Sequence, residues 1–180
     1  DTEQIKKAAV LLQAGEVVGI PTETVYGLAA DAYNPDAIKK IFLAKGRPQD
    51  NPLIVHIDSM EMLPELVVAI PDTARRLAEK FWPGPLTMIL PKSDRVPMVT
   101  TGNLDTVAIR MPSHPVARQI IHTCGFPLAA PSANLSGSPS PTTAEHVKKD
   151  LDGRIPFIIN GGECEIGVES TVIAVYDNHV

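Results

Sequence analysis

Prolines divide this sequence into short pieces. The runs EVVGIPT (16–22), PLIVHI (52–57), LTMILP (86–91), TVAIRMP (106–112) and FPLAAPS (126–132) are short, largely aliphatic and marked by a proline at one end or both. A residue with a fixed φ and no N–H closes one element and opens a turn. Runs of this length read as buried strands rather than helices. IPFIING (155–161) and VESTVIAVY (168–176) read the same way.

Stretches with helical periodicity lie between them. Ile5, Ala8, Ala9, Leu11 and Leu12 share a face of residues 2–14, which Gly15 stops. Asn34 caps a second helix, with Pro35 and Asp36 in its first turn, running to about Ala44. Further helices are expected from Asp72 to Phe81, from Ser113 to about Thr123, and over 144–151. Helices and strands alternate irregularly, with two adjacent strands in the middle and two at the end. That order predicts one α/β domain spanning residues 1–180, built on a twisted mixed sheet flanked by helices. Aromatics are only 4% of the chain, so its core must be aliphatic.

The net charge of −5 disfavours a module that lives on long phosphate backbones. Two cysteines, Cys124 and Cys164, cannot make a disulfide framework. With no signal peptide and no apolar run near the roughly 20 residues needed to span a bilayer, a cytoplasmic location without membrane contact is expected. The chain has no initiator Met and stops shortly after a strand-like run, so a trimmed end is expected. There is no P-loop, no dinucleotide glycine fingerprint, no nucleophile elbow and no Cys/His metal spacing. No protein metal cage is expected.

Six constellations remain. In PTETVYGL (21–28), hydroxyls follow a strand end and Gly27 allows a tight reversal; an ordinary capped turn explains it equally. In KGRPQDNP (45–52), Lys45 and Arg47 exceed what the negative end of a helix dipole needs, and two cations beside prolines suit phosphate oxygens. His56 interrupts an apolar strand, sharing a face with Ile54; a satisfied core histidine is the ordinary alternative. Arg110 interrupts another strand and needs an anion, either a protein carboxylate or a ligand's. APSANLSGSPSPTT (130–143) offers Ser132, Asn134 and Ser140 among small residues just after a strand, where a flat base can approach the backbone. In GVESTVIAV (167–175), Ser170 and Thr171 either cap a cleft or are polar members of an alternating strand.

In this order, PTETVYGL, K-G-R-x-x-x-N-P-L, A-I-R-M-P, P-S-A-N-x-S-G and E-S-T-V resemble the YrdC/Sua5 family of threonylcarbamoyl-adenylate synthases over essentially the whole chain. The resemblance implies a YrdC-like domain with a concave, positively charged cleft. It implies an adenylyl-transferring enzyme that turns L-threonine, bicarbonate and ATP into threonylcarbamoyl-AMP and pyrophosphate. Mg²⁺ would accompany ATP, held mainly by phosphates and water. The product would pass to transfer proteins that modify adenosine 37 of ANN-decoding tRNAs, with at most weak direct tRNA contact. By motif position the ATP side would be Lys45, Arg47, Asn51, Thr106, Ser132, Asn134 and Ser140, with Lys45 and Arg47 catalytic. The threonine side would be Thr24, His56, Arg110 (to the carboxylate), Ala130 through its backbone, and Ser170. Family members usually continue into an Arg-Pro-Gly segment, or a linker and second domain, which this chain lacks. The alternatives are a related carbamoyl-adenylate-forming domain and a non-catalytic RNA-binding module.

Overall fold

Residues 2–46 and 51–176 are described by a computed structural model. Helix α1 (Thr2–Gln13) buries Ile5, Ala8, Ala9 and Leu12, and strand β1 (Val18–Ile20) follows. The chain then turns back through 21–26 into β2 (Gly27–Asp31). Helix α2 (Pro35–Lys45) starts where the Asn34 side chain accepts from the N–H groups of Asp36 and Ala37, at 3.0 and 3.3 Å. It ends at Gly46, whose φ of 65° is left-handed and costs a glycine little.

Strand β3 (Ile54–His56) leads through a 3₁₀ turn at Met60–Met62 into α3 (Leu63–Leu66) and α4 (Asp72–Phe81). Next come β4 (Leu86–Pro91), β5 (Thr106–Arg110), α5 (Pro115–Cys124), β6 (Leu128–Ala129), α6 (Ala144–Leu151) and β7 (Thr171–Ala174). Among the described residues the sheet has seven strands in the order β1-β2-β6-β3-β5-β4-β7. β3 with β5 and β4 with β7 are parallel, and the other neighbours are antiparallel. The expected mixed sheet is present.

Two apolar layers flank it. On one face Leu28, Val55, Met88, Val107 and Ile109 pack with residues of α2, α3 and α4, including Ile38, Ile41, Phe42, Leu63 and Ala78. On the other, Val18, Ile20, Ala29 and Leu128 pack with Ile120 and Ile121 of α5 and Leu12 of α1. That second layer covers the β1-β2-β6 side. No residue of β5 or β4 belongs to that layer. Alternation along β5, with Val107 and Ile109 buried and Thr106 and Ala108 half-buried, reflects this difference.

Four local expectations change. Gly27 does not make the reversal; it begins β2, and a Cβ there would lie 3.1 Å from that of Ala130. The turn is made by residues 22–25, where the Thr22 hydroxyl donates to the Val25 carbonyl at 2.6 Å. Residues 155–161 form no ladder, only a parallel bridge between Ile158 and Gly19. His114, not Ser113, caps α5, its Nδ1 accepting from the Val116 N–H at 3.1 Å. β6 keeps only two of the seven residues in FPLAAPS.

Candidate active site

The part of the sheet beyond that second layer floors a cleft of about 320 Å³, lined in part by Thr22, Thr24, Ile54, His56, Arg110, Ala130, Ser132, Glu169, Ser170 and Val172. Register explains the convergence. Parallel pairing sets Ile54 beside Ala108 and His56 beside Arg110, and antiparallel pairing sets Thr87 beside Arg110. Parallel pairing then sets Val172 beside Thr87. These residues share one face, because paired strand residues point the same way.

Arg110 is 3% exposed, and its anion is Glu23: Nη2 donates to the Glu23 carboxylate, and Nη1 to the Thr24 hydroxyl at 3.0 Å. The other Glu23 oxygen accepts from the Ser113 N–H at 2.9 Å. This is the protein-carboxylate alternative of the sequence reading. The guanidinium is not exhausted by it, since Nε is buried without a partner. Burial lowers the Arg110 pKa and the Glu23 charge opposes that shift.

His56 is also buried, and its Nδ1 lies 3.2 Å from the Ile54 carbonyl oxygen. Burial first, and the Arg110 charge second, push its pKa down to about 3, so the ring in the cleft wall is neutral at physiological pH.

Lys45 does not extend into solvent at the end of α2. It is 2% exposed, and its ammonium donates to the Ser132 carbonyl and to Asn134 Oδ1, the latter at 3.4 Å. The Asn134 amide in turn donates to the Leu135 and Ser138 carbonyls, each at 2.8 Å. The positive charge therefore sits directly behind the loop that carries Ser132 into the cleft.

Thr24, His56, Arg110, Ala130, Ser132 and Ser170 thus meet at one cleft. Lys45 and Asn134 stand behind its wall. Ser140 donates at 2.7 Å to Glu169, a lining residue. Asn51 precedes the lining residue Pro52, and the β3–β5 register carried back two residues sets Thr106 level with Pro52. Arg47 lies outside the described residues.

Sequence reasoning missed Glu23 and Thr87. Glu23 had a signal, because Arg110 demanded an anion. Thr87 is fully buried beneath the cleft, with its hydroxyl 2.7 Å from that of Ser170; a threonine inside LTMILP was the only hint.

The family model Sua5/YciO/YrdC, described as "Telomere recombination", matches residues 10–180. A threonylcarbamoyl-AMP synthase of Pyrococcus abyssi is 58% identical over 170 residues, covering 94% of this chain and 50% of that protein. One of Bacillus subtilis is 58% identical over 176 residues, covering 97% of this chain and 51% of that protein. The crystal structure of P. abyssi Sua5 complexed with L-threonine superposes with a TM-score of 0.96 at 56% identity, over 97% of this chain and 52% of that one. The chain spans about half the length of these curated relatives. On sequence and on fold, this chain belongs to the Sua5/YciO/YrdC family.

Proposed function

We propose that the cleft is the catalytic site of a threonylcarbamoyl-AMP synthase, a nucleotidyltransferase that forms threonylcarbamoyl-AMP and pyrophosphate from L-threonine, bicarbonate and ATP. The observation that carries this reading is the meeting of Thr24, His56, Arg110, Ala130 and Ser170 in one cleft, beside a loop that a buried lysine holds from behind. The relatives of that name at 58% identity support it.

Threonine's carboxylate would approach the guanidinium donors that Glu23 and Thr24 leave over, with neutral His56 in the wall. The amine and bicarbonate condense to a carbamate with loss of water. The carbamate oxygen then attacks the α-phosphorus of ATP, the bond to the β-phosphate oxygen breaks, and pyrophosphate leaves. No described side chain is an evident covalent nucleophile here, so the residues act by positioning and charge. Ser132, Asn134 and Ser140 would border the nucleotide, with Asn51 and Thr106 at the rim. Lys45 would supply positive charge behind the Ser132 loop, and Arg47 would add a second cation.

Among the described residues no three His, Cys, Asp or Glu side chains converge to hold a metal. Mg²⁺ would enter with ATP, coordinated by phosphates and water, and no step is assigned to a protein-bound ion. The product would pass to proteins that transfer the threonylcarbamoyl group to adenosine 37 of tRNA.

The test is pyrophosphate release from ATP and Mg²⁺ with threonine and bicarbonate each withheld in turn. Release that needs both supports the synthase. Release that continues without threonine points instead to carbamoyl-adenylate chemistry and removes the threonine role from Arg110 and Ser170.

A further inference from the structure

Two hydroxyls that line the cleft, those of Thr24 and Ser170, are each backed by a threonine hydroxyl. A hydroxyl has one proton to give, and where burial excludes water the backing group dictates which way the bond runs. Thr87 is fully buried, and among the described residues its Oγ1 has one partner, the Ser170 Oγ at 2.7 Å. Were Thr87 to accept, its own proton would be left unmet beneath the cleft, out of reach of water. Thr87 is therefore the donor, and the Ser170 proton is left for the cleft.

Thr22 works in the opposite sense. Its proton goes to the Val25 carbonyl at 2.6 Å, so in the 2.9 Å contact with Thr24 it accepts. Thr24 thus donates to Thr22, receives Arg110 Nη1 at 3.0 Å, and has only a lone pair left to offer.

We infer that Thr22 and Thr87 are positioning residues that fix the two cleft hydroxyls with opposite polarity, Ser170 as donor and Thr24 as acceptor. The site then takes an acceptor oxygen at Ser170 and an N–H at Thr24. Thr87 lies beside Arg110 in the strand register and bonds the Ser170 hydroxyl, so Arg110 and Ser170 flank it and both present donors. Resting on the proposed reading of the cleft, that polarity suits the substrate named there, with the threonine carboxylate on Arg110 and Ser170 and its amine on Thr24.

Neutron diffraction on deuterium-exchanged crystals locates the protons directly. Calorimetry with L-threonine and L-threoninamide on the wild type, Thr87→Val and Thr87→Ser tests their consequence. The expected deuteron is on Thr87 Oγ1, aimed at Ser170. The preference for threonine over threoninamide should fall about tenfold in Thr87→Val, which frees Ser170 to accept from the amide, and return in Thr87→Ser. A deuteron on Ser170 aimed at Thr87 overturns the inference whatever binds. So does a Thr87→Val protein that loses both ligands by the same factor, as a purely structural role predicts. If the wild type binds no L-threonine, the amino-acid reading fails, while the deuteron position still decides the polarity.

Discussion

Glu23 and Arg110 form an ion pair across 87 residues of sequence, with side chains only 6% and 4% exposed. A carboxylate and a guanidinium so far from water are held in place by each other. Removing either partner leaves the other uncompensated in a low-dielectric site. Glu23→Ala should therefore lower unfolding free energy by about 3–5 kcal/mol, read by urea denaturation. In the double variant Glu23→Ala/Arg110→Met the loss should be clearly smaller than the sum of the two single losses. Additive losses would contradict the pairing.

The position of Lys45 makes a second prediction. Lys45→Met keeps most of the aliphatic stem but removes the ammonium from Ser132 and Asn134. With the role proposed for Lys45, pyrophosphate release should fall about 10²-fold or more, the size of loss typical when a preorganised charge that stabilises a transition state is removed. The loop at 132–140 should also become a preferred site of limited proteolysis. Lost turnover with an unchanged digestion pattern would confine Lys45 to a charge role.

His56 gives a pH signature. Its pKa is about 3 in the folded protein against 6.5 for the free side chain. Between those values the unfolded chain holds a proton that the folded one refuses, so stability rises with pH and is fully present above about 6.5. On acidification this single group removes about 1.4 kcal/mol per pH unit. Because other groups titrate too, the quantity to measure is the difference between wild type and His56→Asn from pH 7 to 4. Wild type should lose stability more steeply. Parallel curves would mean the ring is protonated in the fold.

Tyr26 ties the segment after α6 to the start of β2. Its hydroxyl donates to the Gly162 carbonyl at 2.8 Å and accepts from the Gly161 N–H at 2.9 Å. Tyr26→Phe removes both bonds and should cost about 1–3 kcal/mol. Gly161→Ala is expected to be at least as damaging, since its Cβ would lie 2.5 Å from Pro21 Cγ. Thermal unfolding of the two variants checks both, and a Gly161→Ala protein as stable as wild type would show that Pro21 yields.

Legibility in the sequence followed the range of the interactions. α2 and α4 could be placed closely, because a cap, a proline or a left-handed glycine acts over a few residues. Residues 155–161 carry the apolar run of a strand but gain only one bridge, because pairing depends on a partner that local composition does not reveal. Lys45 is conspicuous in the sequence, yet its burial against a loop nearly 90 residues away has no local signature. Glu23 shows the same limit. The need for an anion at Arg110 was visible, and the choice between ligand and protein was made only by the turn at 22–25 crossing to β5.

The cleft draws on residues from Thr22 to Val172, and no single hairpin or helix contains it. Contacts of such long sequence separation form only after extensive loop closure, which makes them late and mutually dependent in folding. Synthesis from the N-terminus adds a timing rule: the pocket cannot assemble until residue 172 has left the ribosome. No shorter N-terminal fragment should show partial affinity. A ligand held in this cleft would then stabilise the assembled sheet as a unit, and its saturation would report how much of the chain is folded.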